Sequence, residues 1–167
     1  MRFSLLPKCI MDSPLELTAP LLHSWGIRLL MLDFDNTIIP YTTDIPTAAM
    51  EGWLREMAAS QVQVCIVSNS HNDRVERFCA QRGLACITHA RKPFSKGIAQ
   101  CLKKYGIKPE QAALVGDQIF TDVLGANCAG VRSVLVKPIN NHNIWLKLRH
   151  VAEKPFIYAA RNRRMKQ

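Results

Sequence analysis

An α/β fold with a mainly parallel central sheet is what this chain of 167 residues predicts, and three observations carry that expectation. From Arg28 onward short apolar runs alternate with segments of helical period, the pattern of successive βαβ units. Apolar residues make up 48% of the chain and charged residues 21%, so enough apolar surface is available to offset the chain entropy of folding. The connections are short and no repeat, low-complexity stretch or linker interrupts them, so one domain suffices.

The apolar runs predict strands at Leu29–Phe34, Val62–Val67, Leu84–Ile87, Ala112–Val115 and Ser133–Val136. Between them, Pro46–Ala59 places Ala49, Trp53 and Met57 on one helical face, and Asn72–Arg82 does the same with Val75, Phe78 and Cys79. Pro93–Tyr105 gathers Phe94, Ile98, Cys101 and Leu102 at helical spacing and is closed by Gly106; Thr121–Ala129 is the fourth sheet-covering helix. Ahead of the first strand, Thr18, Pro20 and Gly26 bracket a short capped helix with Leu21, Leu22 and Trp25 on its apolar face, suited to the sheet edge. The expected organisation is a segment over 1–27 packing on the core, a catalytic domain over 28–152 and a basic C-terminal tail over 153–167.

Charge and cysteine usage bound the surroundings. The formal net charge is +9, and residues 137–167 alone hold eight Lys and Arg against one Glu. Such a stretch is either a solvated tail or a surface for polyanions. No apolar run approaches the roughly 20 residues of a membrane-spanning helix, and Pro7, Lys8 and Asp12 break up what a signal peptide would need as a continuous apolar stretch. The six cysteines show no CxxC pair and no zinc-ligand spacing, and several sit inside apolar runs, which reads as reduced core thiols in a cytoplasmic setting.

Four short stretches carry chemistry. Leu29–Leu32 runs into Asp33-Phe34-Asp35-Asn36-Thr37, so a buried strand ends in two carboxylates; alone, such a pair is also what a turn or helix cap looks like. Ala112–Val115 runs into Gly116-Asp117, with Thr121 and Asp122 following, and delivers a second acidic cluster to the same edge. Carboxylates that close together need a cation to remain ionised, and hard oxygen ligands suit Mg²⁺ rather than zinc. Val64–Val67 ends in Ser68-Asn69-Ser70, either a phosphate seat or a simple helix cap. Arg91-Lys92-Pro93 places a lysine before a Pro-initiated helix, with Lys96 one turn on as its competitor.

In this order, DxDNT, strand-SN, KP and strand-GDxxxTD, the stretches resemble the haloacid dehalogenase (HAD) superfamily of phosphatases over residues 28–136. The resemblance implies a Rossmann-like three-layer sandwich in which Asp33 is the nucleophile that forms an aspartyl-phosphate and Asp35 is the general acid and base. It implies a Mg²⁺ site on Asp33 and Asp117, with the Asp35 main-chain carbonyl facing the metal and Asp122 supporting its shell through water or hydrogen bonding, phosphate binding by Ser68 and Asn69, and charge neutralisation by Lys92. Many members have Gly where this chain has Asn36, a residue that also tolerates a left-handed turn. A finer similarity, to the subfamily IIIA group of YqeG-like and mitochondrial phosphatidylglycerophosphatase proteins, rests on Leu5-Leu6-Pro7, Gly26-Ile27, Arg91-Lys92-Pro93 and Gly116-Asp117-Gln118-Ile119-Phe120-Thr121-Asp122.

Substrate size follows from spacing. Thr37 to Ser68 has room for a loop, one helix and a strand, and Asn69 to Lys92 for a helix and a short strand, so neither interval holds a cap domain. A capless site suits a large or surface-bound phosphate ester. The finer resemblance implies phosphatidylglycerophosphate, at an anionic membrane surface reached from the cytoplasm. Ile144, Trp145, Leu148 and Val151 form an apolar helical face, and Phe156, Ile157 and Tyr158 precede Arg161, Arg163 and Arg164, a combination that fits such a surface. The alternatives are a nucleic-acid end or a phosphoprotein as substrate, or a phospho-receiver or scaffold module without turnover; receivers, however, lack a DxD pair after the first strand.

Overall fold

The computed structural model describes residues 3–71, 73–140 and 153–160. In chain order the strands and α-helices are β1 (Cys9–Ile10), α1 (Ala19–Ser24), β2 (Leu29–Leu32), α2 (Ala48–Ala59), β3 (Gln63–Val67), α3 (Arg74–Arg82), β4 (Ala85–Ile87), α4 (Lys96–Tyr105), β5 (Ala112–Gly116), α5 (Leu124–Ala129) and β6 (Arg132–Leu135). They build one open, wholly parallel sheet in the order β1-β6-β5-β2-β3-β4.

The apolar runs explain why helices cover both faces. Successive strand side chains point to opposite faces, so Leu30, Leu32, Val64, Ile66, Ala113 and Val115 join one core with Trp53, Met57 and Phe78 from α2 and α3. Leu29, Met31, Cys65, Val67, Ala112 and Leu114 join the other, with Ile98 and Cys101 from α4 and Ala126 from α5. A strand buried on both faces has to be apolar throughout, and β2 is. The helices begin where the sequence caps them: Thr18 Oγ1 accepts the Leu21 N–H (3.3 Å) and Thr47 Oγ1 the Met50 N–H (3.2 Å).

Several expectations shift. β1 has only two residues, too few for any periodic signal, yet it adds a sixth strand. It is seated beside β6 by the Met11 N–H on the Leu135 carbonyl (2.9 Å) and by Asn127, whose Nδ2 donates to the Ser4 and Leu6 carbonyls (2.7 and 3.1 Å). β2 stops at Leu32 rather than Phe34, although the Asp33 N–H still reaches the Val115 carbonyl of β5 (2.8 Å), and α4 starts at Lys96 rather than Pro93, which leaves Phe94 outside the helix and exposed instead of on its apolar face. A π-helical turn over Ile119–Val123 precedes α5. Residues 153–160, at the start of the expected tail, form a helix. Its buried Glu153 accepts the Ile119 N–H (2.9 Å), and Phe156 meets Phe120 edge to face at 6.2 Å. The predicted face over Ile144–Val151 and the arginines 161, 163 and 164 lie outside the described residues.

Candidate active site

β2 lies centrally, with β3 and β4 on one side and β5, β6 and β1 on the other, so the strand order reverses beside it. At such a reversal the connections leave in opposite directions and open a crevice at the carboxyl ends of the strands. Leu32 pairs with both Ile66 and Val115, which brings the three strand ends level. Asp33, Ser68 and Asp117 therefore emerge side by side, and all three are buried.

Asp33, Asp117 and Asp122 each bring a carboxylate oxygen to within 4.8 Å of the others. Lys92 joins them: its Nζ donates to Asp33 Oδ1 (2.6 Å) and lies 2.7 Å from Asp122 Oδ1. Burial disfavours the Asp33 carboxylate and, with Asp122 close by, pushes its pKa from 3.8 up to about 7 against the pull of Lys92. Burial alone would depress the Lys92 pKa, but the Asp122 and Asp33 carboxylates overcome it and hold the ammonium charged above its ordinary value. Three buried carboxylates meet here, and their hard oxygen donors, gathered within 4.8 Å of one another, fit a divalent cation.

Gly116 makes the cluster possible. A Cβ built at Gly116 would lie 2.3 Å from the Asp122 Cγ and Oδ2, so only a residue without a side chain lets Asp122 reach across the end of β5. Gly116→Ala is expected to displace Asp122 and destabilise the protein by about 1–3 kcal/mol, as overpacking does. A thermal melt and a divalent-cation titration check this; wild-type values in both would contradict it.

The remaining predicted residues separate in role. Lys92 is buried in the cluster, whereas Lys96 is exposed as the first residue of α4. The side-chain amide of Asn69 is engaged with the backbone of Lys92: its Oδ1 accepts the Lys92 N–H (2.7 Å) and its Nδ2 donates to the Lys92 carbonyl (2.8 Å), which holds the lysine's backbone in place. Ser68 is not the cap of α3, a place taken by Asp73; its Oγ accepts the Ser70 N–H (3.0 Å) at the end of β3. Asn36 is buried in the left-handed region (φ 61), as the tight turn after Asp35 demands.

Asp35 stands apart from the acidic cluster, half-buried, with Oδ1 accepting from Arg74 Nη1 (2.7 Å). Burial raises its pKa despite that guanidinium. Arg74 carried no signal in the sequence, being one arginine among several in α3, yet it ties this corner together. Besides Asp35 it binds Asp44, the Pro40 carbonyl (2.7 Å) and the Thr43 carbonyl, and its guanidinium lies 5.2 Å from the centre of the Phe34 ring. Thr37, quoted in the motif without a role, directs its hydroxyl to Asp33 Oδ2 at 3.4 Å.

An open parallel sheet with an acidic triad able to hold a metal and a buried lysine at its reversal point has the carboxylates and the positive charge that a phosphoryl-transfer enzyme needs in one crevice. Comparison with known proteins agrees. A family model described as HAD-hydrolase-like matches residues 89–153. A Bacillus subtilis protein named "Probable phosphatase YqeG" is 31% identical over 134 residues, covering 80% of this chain and 78% of that one. The Arabidopsis thaliana "Phosphatidylglycerophosphate phosphatase 1, chloroplastic/mitochondrial" is 26% identical over 141 residues, which span 79% of this chain but 38% of that protein. Among solved structures, a HAD subfamily IIIA hydrolase from Legionella pneumophila superposes with a TM-score of 0.52 at 15% identity, covering 87% and 94% of the two chains. The cobalt-bound deoxy-D-mannose-octulosonate 8-phosphate phosphatase of Haemophilus influenzae gives 0.54 at 14% identity, covering 81% and 90%. The chain belongs to the HAD superfamily, with the YqeG-like phosphatases, and is a HAD-type phosphatase.

Proposed function

We propose that this phosphatase hydrolyses phosphatidylglycerophosphate to phosphatidylglycerol and inorganic phosphate, from a peripheral position at the cytoplasmic face of a membrane. The observation that carries the reading is the apolar rim of an uncapped site. Tyr41, Ile45, Phe94 and Ile139 are all strongly exposed, and all lie in the loops that leave the carboxyl ends of β2, β4 and β6, where the catalytic crevice opens. Exposed apolar groups gathered around one mouth suit a lipid surface better than a soluble ester. On the β6 side an adjoining groove of ≈ 550 Å³ runs from Asp117 past Leu135, Val136 and Ile157, with Lys154 in its lining to meet anionic head groups and Lys137 there paired with Asp12 (2.8 Å). No helix among the described residues is long and apolar enough to cross a membrane, so contact would be at the surface. The name of the Arabidopsis relative points to the same substrate.

In this reading the Asp33 carboxylate attacks phosphorus and the bond from phosphorus to the leaving oxygen breaks, with Asp35 donating the proton that the alcohol needs. Asp35, now a carboxylate, takes a proton from water; the water oxygen attacks the aspartyl-phosphate and the bond to Asp33 breaks, which regenerates both groups and releases phosphate. Lys92 offsets the charge that would otherwise repel the incoming dianion, and the Ser68 hydroxyl and neighbouring N–H groups receive phosphoryl oxygens. Mg²⁺ held by Asp33, Asp117 and Asp122, with the Asp35 carbonyl beside them, would supply Lewis-acid neutralisation of the phosphoryl group.

The test is phosphate release from phosphatidylglycerophosphate in mixed micelles beside soluble sugar phosphates, a phosphopeptide and a phosphorylated oligonucleotide. A clear preference for the lipid supports the assignment, and a preference for any other substrate overturns it. Ile45→Asp together with Phe94→Asp is expected to lower turnover of the lipid in vesicles by about tenfold or more, each apolar contact with the interface being worth on the order of 1 kcal/mol. Vesicle co-sedimentation should fall in parallel; wild-type sedimentation and turnover would remove the rim from the argument.

The metal makes a separate prediction. In metal-free protein Asp33 titrates near 7 when folded and at its ordinary 3.8 when unfolded, so the folded state keeps a proton that the unfolded state releases. That contribution to stability is complete below the lower value and is lost as pH rises through about 7. Added Mg²⁺ should therefore raise Tm more at pH 8.5 than at pH 5.5; an equal shift at both pH values would contradict the site.

A further inference from the structure

On the β3 side of the crevice Asp35 borders a second cavity, ≈ 520 Å³, whose walls are polar: Thr42, Thr43, Ser70, Arg74 and Arg77 among them. We propose that this cavity is a binding site for a negatively charged ester group on the leaving alcohol, with Arg77 as its specificity-determining residue. The inference rests on the proposed phosphatase reading in one respect, that Asp35 protonates the leaving oxygen. That oxygen must come within hydrogen-bond reach of Asp35, and whatever it carries then enters the cavity that Asp35 lines. The cavity is much larger than a single hydroxymethyl group requires, so it has room for a second functional group.

The chemistry of the walls says which group. The guanidinium of Arg74 is shared between Asp35 and Asp44, the two carboxylates at this cavity, and two backbone carbonyls, so its charge is already answered. Arg77 lies three residues further along α3, on the same side of the helix, and is exposed. Among the described residues no carboxylate pairs with it. An anion arriving on the leaving group therefore meets one uncompensated guanidinium, with the hydroxyl-bearing Thr42, Thr43 and Ser70 around it to complete its hydrogen bonds. A phosphodiester or a second phosphate a few bonds from the scissile ester is the matching chemistry; an uncharged leaving group would forgo that pairing.

The experiment compares three soluble substrates: glycerol 3-phosphate, whose leaving alcohol is neutral; glycerophosphoglycerol phosphate, the deacylated head group, whose leaving alcohol carries a phosphodiester; and fructose 1,6-bisphosphate, whose leaving alcohol carries a phosphate. The readout is the ratio of kcat/KM for a charged over the neutral leaving group. Wild type should favour the charged group by about tenfold or more, the worth of one charge-assisted hydrogen bond. Arg77→Ala and Arg77→Glu should collapse the ratio towards one, chiefly through KM, and Arg77→Lys should restore most of it. Calorimetric binding of the same three compounds to Asp33→Asn protein reads the ratio without turnover. A wild-type ratio near one, or one that survives Arg77→Glu, overturns the site. If the bisphosphate is preferred to the deacylated head group, the lipid reading fails while the anion site stands; the opposite preference supports both.

Discussion

Asp33→Asn protein should release no measurable phosphate, a loss of at least ~10³-fold, because the amide has no anionic oxygen to offer phosphorus. The fold should survive, since the amide has nearly the volume of the carboxyl, and removing one of three crowded carboxylates relieves repulsion in the absence of metal. The diagnostic measurement pairs single-turnover phosphate release with trapping of the acyl-phosphate by hydroxylamine. Wild type should yield trapped product and the variant none. Residual turnover within tenfold of wild type would mean that another group attacks phosphorus.

Lys92→Ala should be the most costly lysine substitution in the chain, in stability as well as in rate. Its ammonium lies 2.6 Å from Asp33 and 2.7 Å from Asp122, and the side chain is almost wholly inaccessible. Truncation leaves two buried carboxylates without their cation, a change that destabilises comparable pairs by about 3–5 kcal/mol. Turnover should fall by about 10²–10³-fold with the loss of one preorganised positive charge. Urea denaturation and steady-state kinetics check both effects. Lys96→Ala, on the exposed start of α4, should match wild type in each; similar losses in the two variants would reverse the assignment.

The contrast between these lysines shows where sequence reasoning ran out. The strands that deliver the site were legible because each is a short apolar run that ends in a polar group, and burial on both faces demands that pattern. Asp33, Asp117 and Asp122 could be gathered from sequence for the same reason: all follow strand ends on one edge. Lys92 could not be separated from Lys96, because what distinguishes them is the pair of hydrogen bonds between the Asn69 side chain and the Lys92 backbone, a contact across 23 positions. Arg74 stayed hidden among the other basic residues of α3, since its role depends on Asp35, Asp44 and two carbonyls that the fold brings in from at least 30 positions away. Glu153, an acidic residue in a basic stretch, looked like background and is instead buried against the backbone of Ile119.

The parallel pairing of β1 with β6 has a consequence for the order of folding. Cys9 and Ile10 find their partners at Val134 and Leu135, and the adjoining bond from Lys8 to Ser133 spans 125 positions. A segment made before the rest of the domain must wait for nearly all of it before it can dock, and contacts that distant are slow to nucleate. Until then β6 presents a bare hydrogen-bonding edge, open to the wrong strand or to another molecule. The short β1 therefore acts as a late closing seam, and the rate at which it seals sets how long the nascent protein is exposed to misassembly.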